Sequence, residues 1–562
     1  MNRGRWPRAQ RAAGLVALVA ACFSSLALAQ EDIAYGERVD VRVVNLDVLV
    51  LDKKGRPVYG LTREDFNVTE DGRTVDVQFF TAPSAPGEQA ERTENDSPDV
   101  VTSEAAELVV LLDDLNLPGP ARKRFLQDLR GLLQGLEPLP PTLLLQRRQS
   151  LPILHGPSRD LDELMSSVDR VGKPLAQGLV VSIARRRALQ EIDGIIEGCL
   201  ASNRDICNDC FGELLATINQ YAITQSAKLE GVASGLLGAL GAMGEGLTQR
   251  TLLYVGDGLP QIPGLPMFSY LGDLCPDRRS EVESEAIRYK QDRLFEELGA
   301  IANASRVSLY LYDAGGIRPT TSSGVDAGTR PPTLENDSFF NQNQQAGMNL
   351  LARATGGRAI VNSNRALEPM RTMVEDREAR YSLGFSIDRE PTGRVHGLRV
   401  SLNPRVGKDR RLRYRQSFLD LTAEGRLLQQ LNAALYAGTL KESFAVELSF
   451  GEVERLKRRS RRVPVQIKIP EAALTVLPGP PDGKPRGAAR IALASTDERD
   501  RQSGYRQSLV QLGEGGLVPT SEGYYSLVVA IDVAPGSRVF AVAVRDETTG
   551  ETTLVRSTLD VP

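Results

Sequence analysis

Acidic side chains follow two of the most apolar segments in the sequence. Asp113 and Asp114 come directly after Leu108–Leu112, and Asp257 comes two positions after Leu252–Val255. A short apolar run of this kind is typical of a strand that is buried on both faces of a parallel sheet. Parallel strands bring their carboxyl ends to one edge, where open α/β sheets usually bind ligands. The spacing therefore predicts carboxylates at that edge, with oxygen donors suited to a hard cation such as Mg²⁺ or Ca²⁺.

The composition leaves little material for most hydrolytic chemistry. The 562-residue chain has two histidines, His155 and His396, and a single tryptophan, Trp6. Zinc sites built on several histidines and repeated Ser-His-Asp chemistry are therefore disfavoured. The sequence also lacks a P-loop, a Gly-x-Ser-x-Gly motif and a His-Glu-x-x-His motif. We expect a protein that binds rather than an enzyme.

The charge balance disfavours nucleic acid as a partner. Lys and Arg total 68, Asp and Glu total 72, and four of the basic residues precede Glu31. The rest of the chain is therefore more acidic than the net charge of −4 for the whole sequence, and it has no electrostatic drive toward a phosphate backbone. The basic segment Arg455–Arg462 is interpreted as a solvated loop, with an anionic polymer such as cell-surface polysaccharide as the alternative partner.

The amino terminus has the three regions of a secretory signal peptide. Met1–Arg11 is basic, Ala12–Leu28 is apolar, and Ala27-Leu28-Ala29 is a small-residue cleavage site. We expect cleavage after Ala29 and export to the periplasm or the medium. A bacterial lipobox that ends at Cys22 is the alternative, and it would give a lipoprotein. No other run of 18 apolar residues occurs, so we expect no membrane span after cleavage.

Four cysteines remain beyond the predicted signal: Cys199, Cys207, Cys210 and Cys275. An even number of cysteines in an exported protein predicts two disulfides, and the sequence leaves three pairings open. A redox Cys-x-x-Cys at 207–210 and a four-thiolate zinc site are the alternatives. Neither has its usual sequence context, because no thioredoxin-like βαβ pattern and no second Cys-x-x-Cys is present.

The texture of the sequence changes several times along the chain. We expect a signal peptide over 1–29, a β-sandwich module over 30–82 together with 379–420, a linker over 83–105, an α/β domain over 106–378 with a cysteine-containing insertion, and a C-terminal β-sandwich over 421–562. The first module is expected to be split because 39–81 offers only about four strands, and the segment 380–418 returns to period-two alternation. The predicted fold class is therefore multidomain, α/β plus all-β.

The α/β region alternates apolar runs with segments of helical spacing. The runs are Leu108–Leu112, Leu143–Leu145, Leu252–Val255 and Val307–Tyr312, and the helical segments are Arg122–Leu136, Leu179–Cys199, Phe211–Met243, Glu281–Ile301 and Gly347–Thr355. This alternation predicts a Rossmann-like parallel sheet with helices on both faces. The stretch 258–280 is rich in Pro and Gly and directly follows Asp257, so it is expected to be an irregular connection, with a lid over the sheet edge as the alternative.

Several motifs together resemble the bacterial, largely acidobacterial, VWFA-related domain family, whose members are exported and contain a divergent von Willebrand factor A fold. The motifs are Asp52–Val58, Gly60–Phe66, Glu70–Gly72, Val110–Asn116, Tyr254–Gly258 and Leu351–Arg358. They occur in this order over nearly the whole chain beyond the signal. The resemblance implies a Rossmann-like A domain flanked by β-sandwich modules and a role in binding.

The resemblance also implies a divalent metal site, from which this sequence departs. A complete A domain holds its ion with an Asp-x-Ser-x-Ser loop, a Thr and a later Asp. Counted from Asp114, the two Ser positions are Asn116 and Pro118, and no secure match exists for the Thr, although Ser158 lies in a plausible loop. Asp114, Asn116 and Asp257 therefore form a degenerate site, and we expect Asp114 and Asn116 to cap the following helix and Asp257 to stabilise its turn. The alternative is that the three bind Mg²⁺ or Ca²⁺ weakly, with the ion recruited only when a partner contributes a carboxylate.

Two hypotheses for function follow from these observations. The first is an exported interaction protein whose A-like domain binds a protein or cell-surface partner at the carboxyl edge of its sheet. The second is a structural component of the cell envelope, in which the sandwiches assemble and the A-like domain binds no metal. The sequence does not name the ligand or the oligomeric state.

Overall fold

The computed structural model describes residues 42–85, 107–148, 151–173, 179–243, 249–317, 334–407, 409–438, 440–457, 459–478, 487–497, 502–513 and 515–562. The predicted signal peptide, Cys22 and almost all of the predicted linker lie outside these ranges. The chain divides into a small unit, Met1–Val44 with Ser386–Arg389, and a large unit, Asn45–Phe385 with Glu390–Pro562. Within the small unit, the Arg42 guanidinium donates a hydrogen bond to the carbonyl of Arg389.

The described chain has mixed α and β content, and we number its elements in chain order. The strands are β1 (Arg42–Leu51), β2 (Phe66–Glu70), β3 (Arg73–Val75), β4 (Phe79–Thr81), β5 (Leu108–Asp113), β6 (Thr142–Arg147), β7 (Ile153–Ser158), β8 (Arg250–Gly256), β9 (Val307–Asp313), β10 (Arg358–Ile360), β11 (Arg380–Ile387), β12 (Val395–Leu402), β13 (Arg411–Arg413), β14 (Ser417–Leu419), β15 (Glu447–Phe450), β16 (Glu454–Lys457), β17 (Ser460–Pro470), β18 (Gly487–Asp497), β19 (Gln502–Leu512), β20 (Tyr524–Val533), β21 (Gly536–Asp546) and β22 (Thr552–Val561). The α-helices are α1 (Gly119–Leu133), α2 (Leu161–Gly172), α3 (Leu179–Ala201), α4 (Ile206–Asp209), α5 (Phe211–Ala242), α6 (Leu265–Leu274), α7 (Arg279–Ile287), α8 (Asp292–Ala304), α9 (Leu334–Ala354), α10 (Leu367–Glu378) and α11 (Ala423–Asn432).

A six-stranded sheet with the order β10-β9-β8-β5-β6-β7 forms the centre of the α/β region. β10, β9, β8, β5 and β6 are parallel. Their residues are apolar almost without interruption because helices cover both faces. One face packs against side chains such as Leu236, Phe295 and Met348 from α5, α8 and α9. The other face packs against side chains such as Phe125 and Met370 from α1 and α10.

The last strand of this sheet runs in the opposite direction. β7 is antiparallel to β6, with Ser158 opposite Thr142. The carboxyl end of β7 therefore lies at the amino edge of the parallel strands. This placement overturns the suggestion that Ser158 lies in a loop beside Asp114. Its hydroxyl instead accepts a hydrogen bond from the Asp160 N–H at 3.0 Å, just before α2.

Strands from before and after the α/β region share two antiparallel four-stranded sheets. Their orders are β13-β1-β11-β4 and β14-β12-β2-β3. In the second sheet, Phe66 to Glu70 pair with Leu402 to Leu398, and in the first, Phe79 to Thr81 pair with Gly384 to Ser382. The expected pairing between 39–81 and 380–418 is thus present in the strand registers. That the two sheets form one sandwich domain with the boundaries given above stays a prediction.

A short 3₁₀ turn, Arg63–Asp65, leads into β2. Thr62 and Asp65 form a capping box, in which the Asp65 carboxylate accepts hydrogen bonds from the N–H and the hydroxyl of Thr62. The Arg405 Nε donates to the same carboxylate at 2.8 Å. Because the hydrogen bonds from Thr62 and then those from Arg405 favour the charged form, the pKa of Asp65 lies below its ordinary value. The turn is therefore fixed by a buried carboxylate that pairs with a largely exposed arginine.

Two antiparallel sheets form the C-terminal region. One has the order β15-β17-β16 with β20 beside β17, and the other has the order β19-β18-β21-β22. Alternate residues of β17, Val463, Val465, Ile467 and Ile469, are buried between the sheets. The sequence pattern predicts strands over Val463–Ile469, Ala489–Ala494, Tyr524–Val533 and Val539–Val544, which fall within β17, β18, β20 and β21, but it does not predict β15, β16, β19 or β22. The basic segment Arg455–Arg462, expected to be a loop, instead contributes to β16 and β17.

The C-terminal sheets join the α/β region through α11 and the π-helical turn Ala433–Ala437 that follows it. The turn packs against α5 at Gly241, where a Cβ atom would lie 2.3 Å from the Ala433 Cβ. Leu427 and Leu431 of α11 pack against the sheet that contains β18 and β21. The absence of a side chain at Gly241 therefore allows the two elements to pack closely.

The helical insertion between β7 and β8 contains three of the four cysteines, and the fourth, Cys275, lies in the connection between β8 and β9. Cys199 is bonded to Cys210, and Cys207 is bonded to Cys275. The structure thus selects one of the three pairings that the sequence left open. Two disulfides are consistent with an extracellular protein, and each stabilises the fold by roughly 2–4 kcal/mol.

The connection between β8 and β9 differs from the sequence-based expectation in two helical segments. The stretch 258–280 contains α6 and a 3₁₀ turn rather than only irregular chain. The helical segment expected over Glu281–Ile301 is interrupted between α7 and α8. Among the described residues, no helix is both long enough and apolar enough to span a lipid bilayer.

Candidate binding edge of the parallel sheet

Four aspartates lie at the carboxyl ends of three neighbouring strands. Asp113 ends β5 and Asp114 follows it, Asp257 follows β8, and Asp313 ends β9. Asp113, Asp114 and Asp313 are completely buried, whereas Asp257 is partly exposed. Sequence analysis missed Asp313, although it follows the apolar run Val307–Tyr312 just as Asp113 follows its own run. The sheet therefore collects carboxylates at one edge, as the spacing predicts.

Three donors surround the Asp113 carboxylate. The Arg147 Nη1 is 2.8 Å from Oδ1, and the Tyr254 hydroxyl donates to Oδ2 at 2.8 Å. The side-chain amide of Asn116 donates to Oδ2 at 2.8 Å as well. Asn116 therefore acts on Asp113 as a hydrogen-bond donor, and it does not present its amide as an oxygen ligand beside Asp114.

The Asp114 carboxylate has its own set of partners. The Arg122 Nη1 lies 2.8 Å from Oδ1, and the Gln146 side-chain amide donates to Oδ2 at 3.2 Å. The Arg148 Nε lies 3.5 Å from Oδ2. Both carboxylate oxygens thus face donors from this chain, as buried charges require.

These contacts bear on the divalent ion that the A-domain resemblance implies. A metal ligand needs an oxygen lone pair directed at the ion, and Asp113 and Asp114 direct theirs at guanidinium, amide and phenol groups. Arg147 and Arg122 supply the positive charge that an ion would supply. The donor set of Asp114, Asn116 and Asp257 does not fit a divalent ion in this arrangement, and its metal binding stays a prediction.

The path of Arg147 to Asp113 depends on two glycines of α5. A Cβ atom at Gly231 would lie 2.5 Å from the Arg147 Nη2, and one at Gly235 would lie 2.7 Å from its Cδ. Because real Cβ atoms do not approach this closely, the side chain of Arg147 crosses the helix only where these glycines leave room. The sequence signals that could have revealed this contact are the arginine at the end of an apolar strand and the Gly-x-x-x-Gly spacing.

The surroundings of Tyr254 fix the protonation state of its phenol. Burial, and next the charge of Asp113, raise the pKa of Tyr254 well above its ordinary value, and Asp257 adds to the effect. Tyr254 therefore remains a neutral hydrogen-bond donor at any physiological pH. No histidine of the described ranges lies among these contacts.

Two charged side chains of the edge are partly exposed to solvent, Asp257 and Arg148. Asp257 is partly exposed, and the Arg148 side chain is 27% exposed while it contacts the buried Asp114. Asp313 is held inside, where its Oδ1 accepts the N–H of Gly315 at 3.1 Å. A molecule that approached the edge from solvent would therefore meet one acidic and one basic side chain above a neutralised interior.

The basic segment Arg455–Arg462 is partly paired within the C-terminal sheets. Arg462 forms an ion pair with Asp532 at 2.9 Å, and the Arg461 Nε donates to the carbonyl of Pro562 at 2.7 Å. Strand pairing also places Glu454 opposite Arg462. These contacts reduce the positive charge that the segment presents to an anionic polymer.

Comparisons with known proteins add no functional assignment. No family model and no curated protein matches the chain. Among solved structures, a putative β-galactosidase from Bacteroides fragilis matches with a TM-score of 0.15 and 12% identity over 21% of this chain and 16% of that chain. A protein from Archaeoglobus fulgidus matches with a TM-score of 0.13 and 9% identity over 22% and 98%. A β-glucosidase from Listeria innocua in complex with isofagomine matches with a TM-score of 0.13 and 13% identity over 58% and 38%. Likeness at these scores carries no argument about fold or function.

Proposed function

We propose that this protein is an exported interaction protein of the bacterial cell envelope. Its α/β region is a divergent, Rossmann-like von Willebrand factor A domain, and it binds a protein or cell-surface partner at the carboxyl edge of its sheet. The observation that carries the proposal is the edge itself, where four aspartates follow three neighbouring strands. Ligand binding at this edge is the general rule for open α/β sheets.

Binding is favoured over catalysis because the edge holds no reactive pair. Its buried carboxylates are neutralised by Arg122 and Arg147, and its phenol, Tyr254, stays protonated. Enzymes instead keep an acid, base or nucleophile poised near the working pH. The two disulfides support a place outside the cytosol.

The binding that we propose does not need a metal ion. In A domains with a complete metal motif, the ion bridges the protein and an acidic side chain of the partner. Here the guanidinium of Arg148 reaches the surface beside Asp114 and offers a permanent positive charge to an acidic group. Asp257 offers a matching negative charge nearby.

Affinity capture from an envelope fraction tests the proposal with the mature protein as bait. We expect Arg148→Glu and Asp257→Lys to abolish capture of partners that the unaltered protein retains, with no effect of a chelator. Asp169→Lys, at an exposed carboxylate of α2 that pairs with Arg130, is the matched control and should retain capture. Equal capture by all variants would contradict the edge hypothesis and favour the structural role, in which the sandwiches assemble the envelope. Loss of capture in chelator alone would show that an ion takes part.

A further inference from the structure

Three metal-ligating side chains meet where the β2–β3 hairpin lies beside β12. Within the described ranges, Glu70, Asp71 and His396 form a group whose donor atoms all lie within 4.8 Å of one another. The His396 Nδ1 is 2.8 Å from the Asp71 Oδ2 and 3.5 Å from the Glu70 Oε1. Ligands bound to one zinc ion at about 2.1 Å, at ordinary coordination angles, are about 3.0–3.4 Å apart. The two distances from Nδ1 therefore lie close to the spacing that an ion requires.

A second contact orients the His396 ring and is compatible with an Nδ1 that accepts. The Thr392 hydroxyl lies 2.9 Å from the His396 Nε2 and donates to the Asp420 Oδ2 at 3.2 Å. A hydroxyl has one proton, so with that proton directed at Asp420 the oxygen accepts the Nε2–H. A neutral imidazole then carries its lone pair on Nδ1. Metal-ligating histidines are usually oriented in this way, through a partner on the other ring nitrogen.

A lone pair on Nδ1 would repel the nearby carboxylate oxygens. Nδ1 and the Asp71 Oδ2 are both acceptors in this state, and at 2.8 Å they repel each other unless a cation lies between them. A proton on Nδ1 would remove the repulsion with Asp71 alone. A divalent ion would remove the repulsion with both Glu70 and Asp71, because it can bind all three donor atoms at once.

The surrounding chain holds the donors in place without an ion. The Gly397 N–H donates to the Asp71 Oδ1 at 2.7 Å, which directs Oδ2 toward the imidazole. The Phe418 ring stacks on the His396 ring at 5.2 Å between centroids. The side chains of Glu70 and His396 are 12% and 13% exposed, whereas that of Asp71 is 53% exposed. One side of the group is thus open to water, which an ion with three protein ligands needs for its remaining position.

We propose that Glu70, Asp71 and His396 bind a first-row divalent transition-metal ion of the Zn²⁺ type, with water completing its coordination. The donor set decides the class of metal. An imidazole nitrogen with two carboxylate oxygens suits zinc, nickel or copper, whereas Mg²⁺ and Ca²⁺ take oxygen ligands. The ion binds two segments that lie 325 positions apart in the sequence, and it therefore crosslinks the β2–β3 hairpin to β12.

Calorimetric titration of the untagged, chelator-stripped full-length protein with Zn²⁺ tests the site. We expect one ion per chain, and a loss of affinity of about 100-fold or more in Asp71→Asn and His396→Gln. Thr392→Val keeps all three ligands and should weaken binding by roughly 10-fold, because the imidazole loses the partner that orients it. The control variants Glu64→Gln and His155→Gln, at an exposed carboxylate and at the other histidine, should bind as the unaltered protein does.

A spectroscopic measurement gives an independent result. Co²⁺ added in place of Zn²⁺ should give visible absorption bands that are lost in His396→Gln and in Asp71→Asn. Asp71 is exposed, so its variant keeps the proposal testable even if His396→Gln does not fold, as judged by circular dichroism. Absence of Zn²⁺ binding to the unaltered protein, or binding that neither ligand variant weakens, would overturn the proposal.

Discussion

The negative charges of the carboxylates at the sheet edge and of those in the β2–β3 hairpin are compensated in opposite ways. Asp113 and Asp114 are fully buried, and each receives a guanidinium of this chain at 2.8 Å. Glu70 and Asp71 share a single imidazole, and Asp71 is half exposed. A buried carboxylate must receive a permanent counter-charge from the fold, because an unpaired charge in the interior is prohibitively costly. A carboxylate at the surface can be left for an ion from solution.

Removal of the guanidinium beside Asp113 should have the largest effect on stability. In Arg147→Met we expect the free energy of unfolding to fall by about 3–5 kcal/mol, because Asp113 stays buried and loses its only guanidinium among the contacts described above. Urea denaturation measures the change. The double variant Asp113→Asn with Arg147→Met should recover part of the loss, since it leaves no buried charge. An unchanged urea midpoint in Arg147→Met would show that Asp113 does not depend on this pair.

The second buried pair should be less sensitive because Asp114 has more partners. In Arg122→Met, Gln146 and Arg148 still face the Asp114 carboxylate. We expect the free energy of unfolding to fall by about 1–3 kcal/mol, less than for Arg147→Met under the same conditions. The same urea series provides the measurement. A larger loss of unfolding free energy in Arg122→Met than in Arg147→Met would contradict this prediction. It would show that Gln146 and Arg148 do not compensate the charge of Asp114 as their distances indicate.

Asp65 is an intermediate case, since it is buried but pairs with a largely exposed arginine, and its pKa is lowered. The folded state binds its proton less readily than the unfolded state, so Asp65 stabilises the fold above its ordinary pKa of 3.8. That stabilisation is lost as the pH falls through the lower, folded-state pKa. We expect Asp65→Asn to cost about 1 kcal/mol at pH 6 and progressively less toward pH 2.5. Melting temperatures of both proteins across this range measure the difference, and a constant gap would contradict the assignment.

The hairpin carboxylate should have the smallest effect on stability. In metal-free protein we expect Asp71→Asn to change the free energy of unfolding by no more than about 0.5 kcal/mol, because exposed ion pairs contribute little. With Zn²⁺ present, the unaltered protein should melt at a higher temperature and Asp71→Asn should not, since an ion that binds only the folded state stabilises it. Thermal melts with and without Zn²⁺ distinguish the two. A large loss without metal would mean that Asp71 belongs with the buried carboxylates.

The elements of the α/β region were largely accessible from the sequence because parallel strands are buried on both faces. Apolar runs marked β5, β8 and β9, and the same runs placed Asp113 and Asp257 at one edge. β7 was not predicted at all, since Ile153–Ser158 contains a glycine and a proline and shows neither an apolar run nor period-two alternation. The helical break between α7 and α8 was missed because both segments keep helical spacing.

The partners of the candidate residues could not be predicted from local patterns. Arg147 is 34 positions from Asp113, and only the strand order brings them together. His396 is 325 positions from Asp71, and their contact requires the strand register as well as the pairing of the two segments. The pairing was predictable from matching β texture, whereas the register depends on which face of each strand is buried.

The pairing of β2 with β12 also sets the order in which the molecule can form. As the chain is synthesised from its amino terminus, β2 and β3 emerge before the whole α/β region, and β12 emerges after it. The hairpin then has exposed backbone groups and no neighbouring strand on the β12 side, a state that is prone to association with other chains. Contacts between segments this far apart in sequence also form slowly. The chain loses the entropy of closing a long loop before the contacts stabilise it. The pairing of β2 with β12 is therefore a late step in folding. Until it occurs, the β2–β3 hairpin must be kept from associating with other chains.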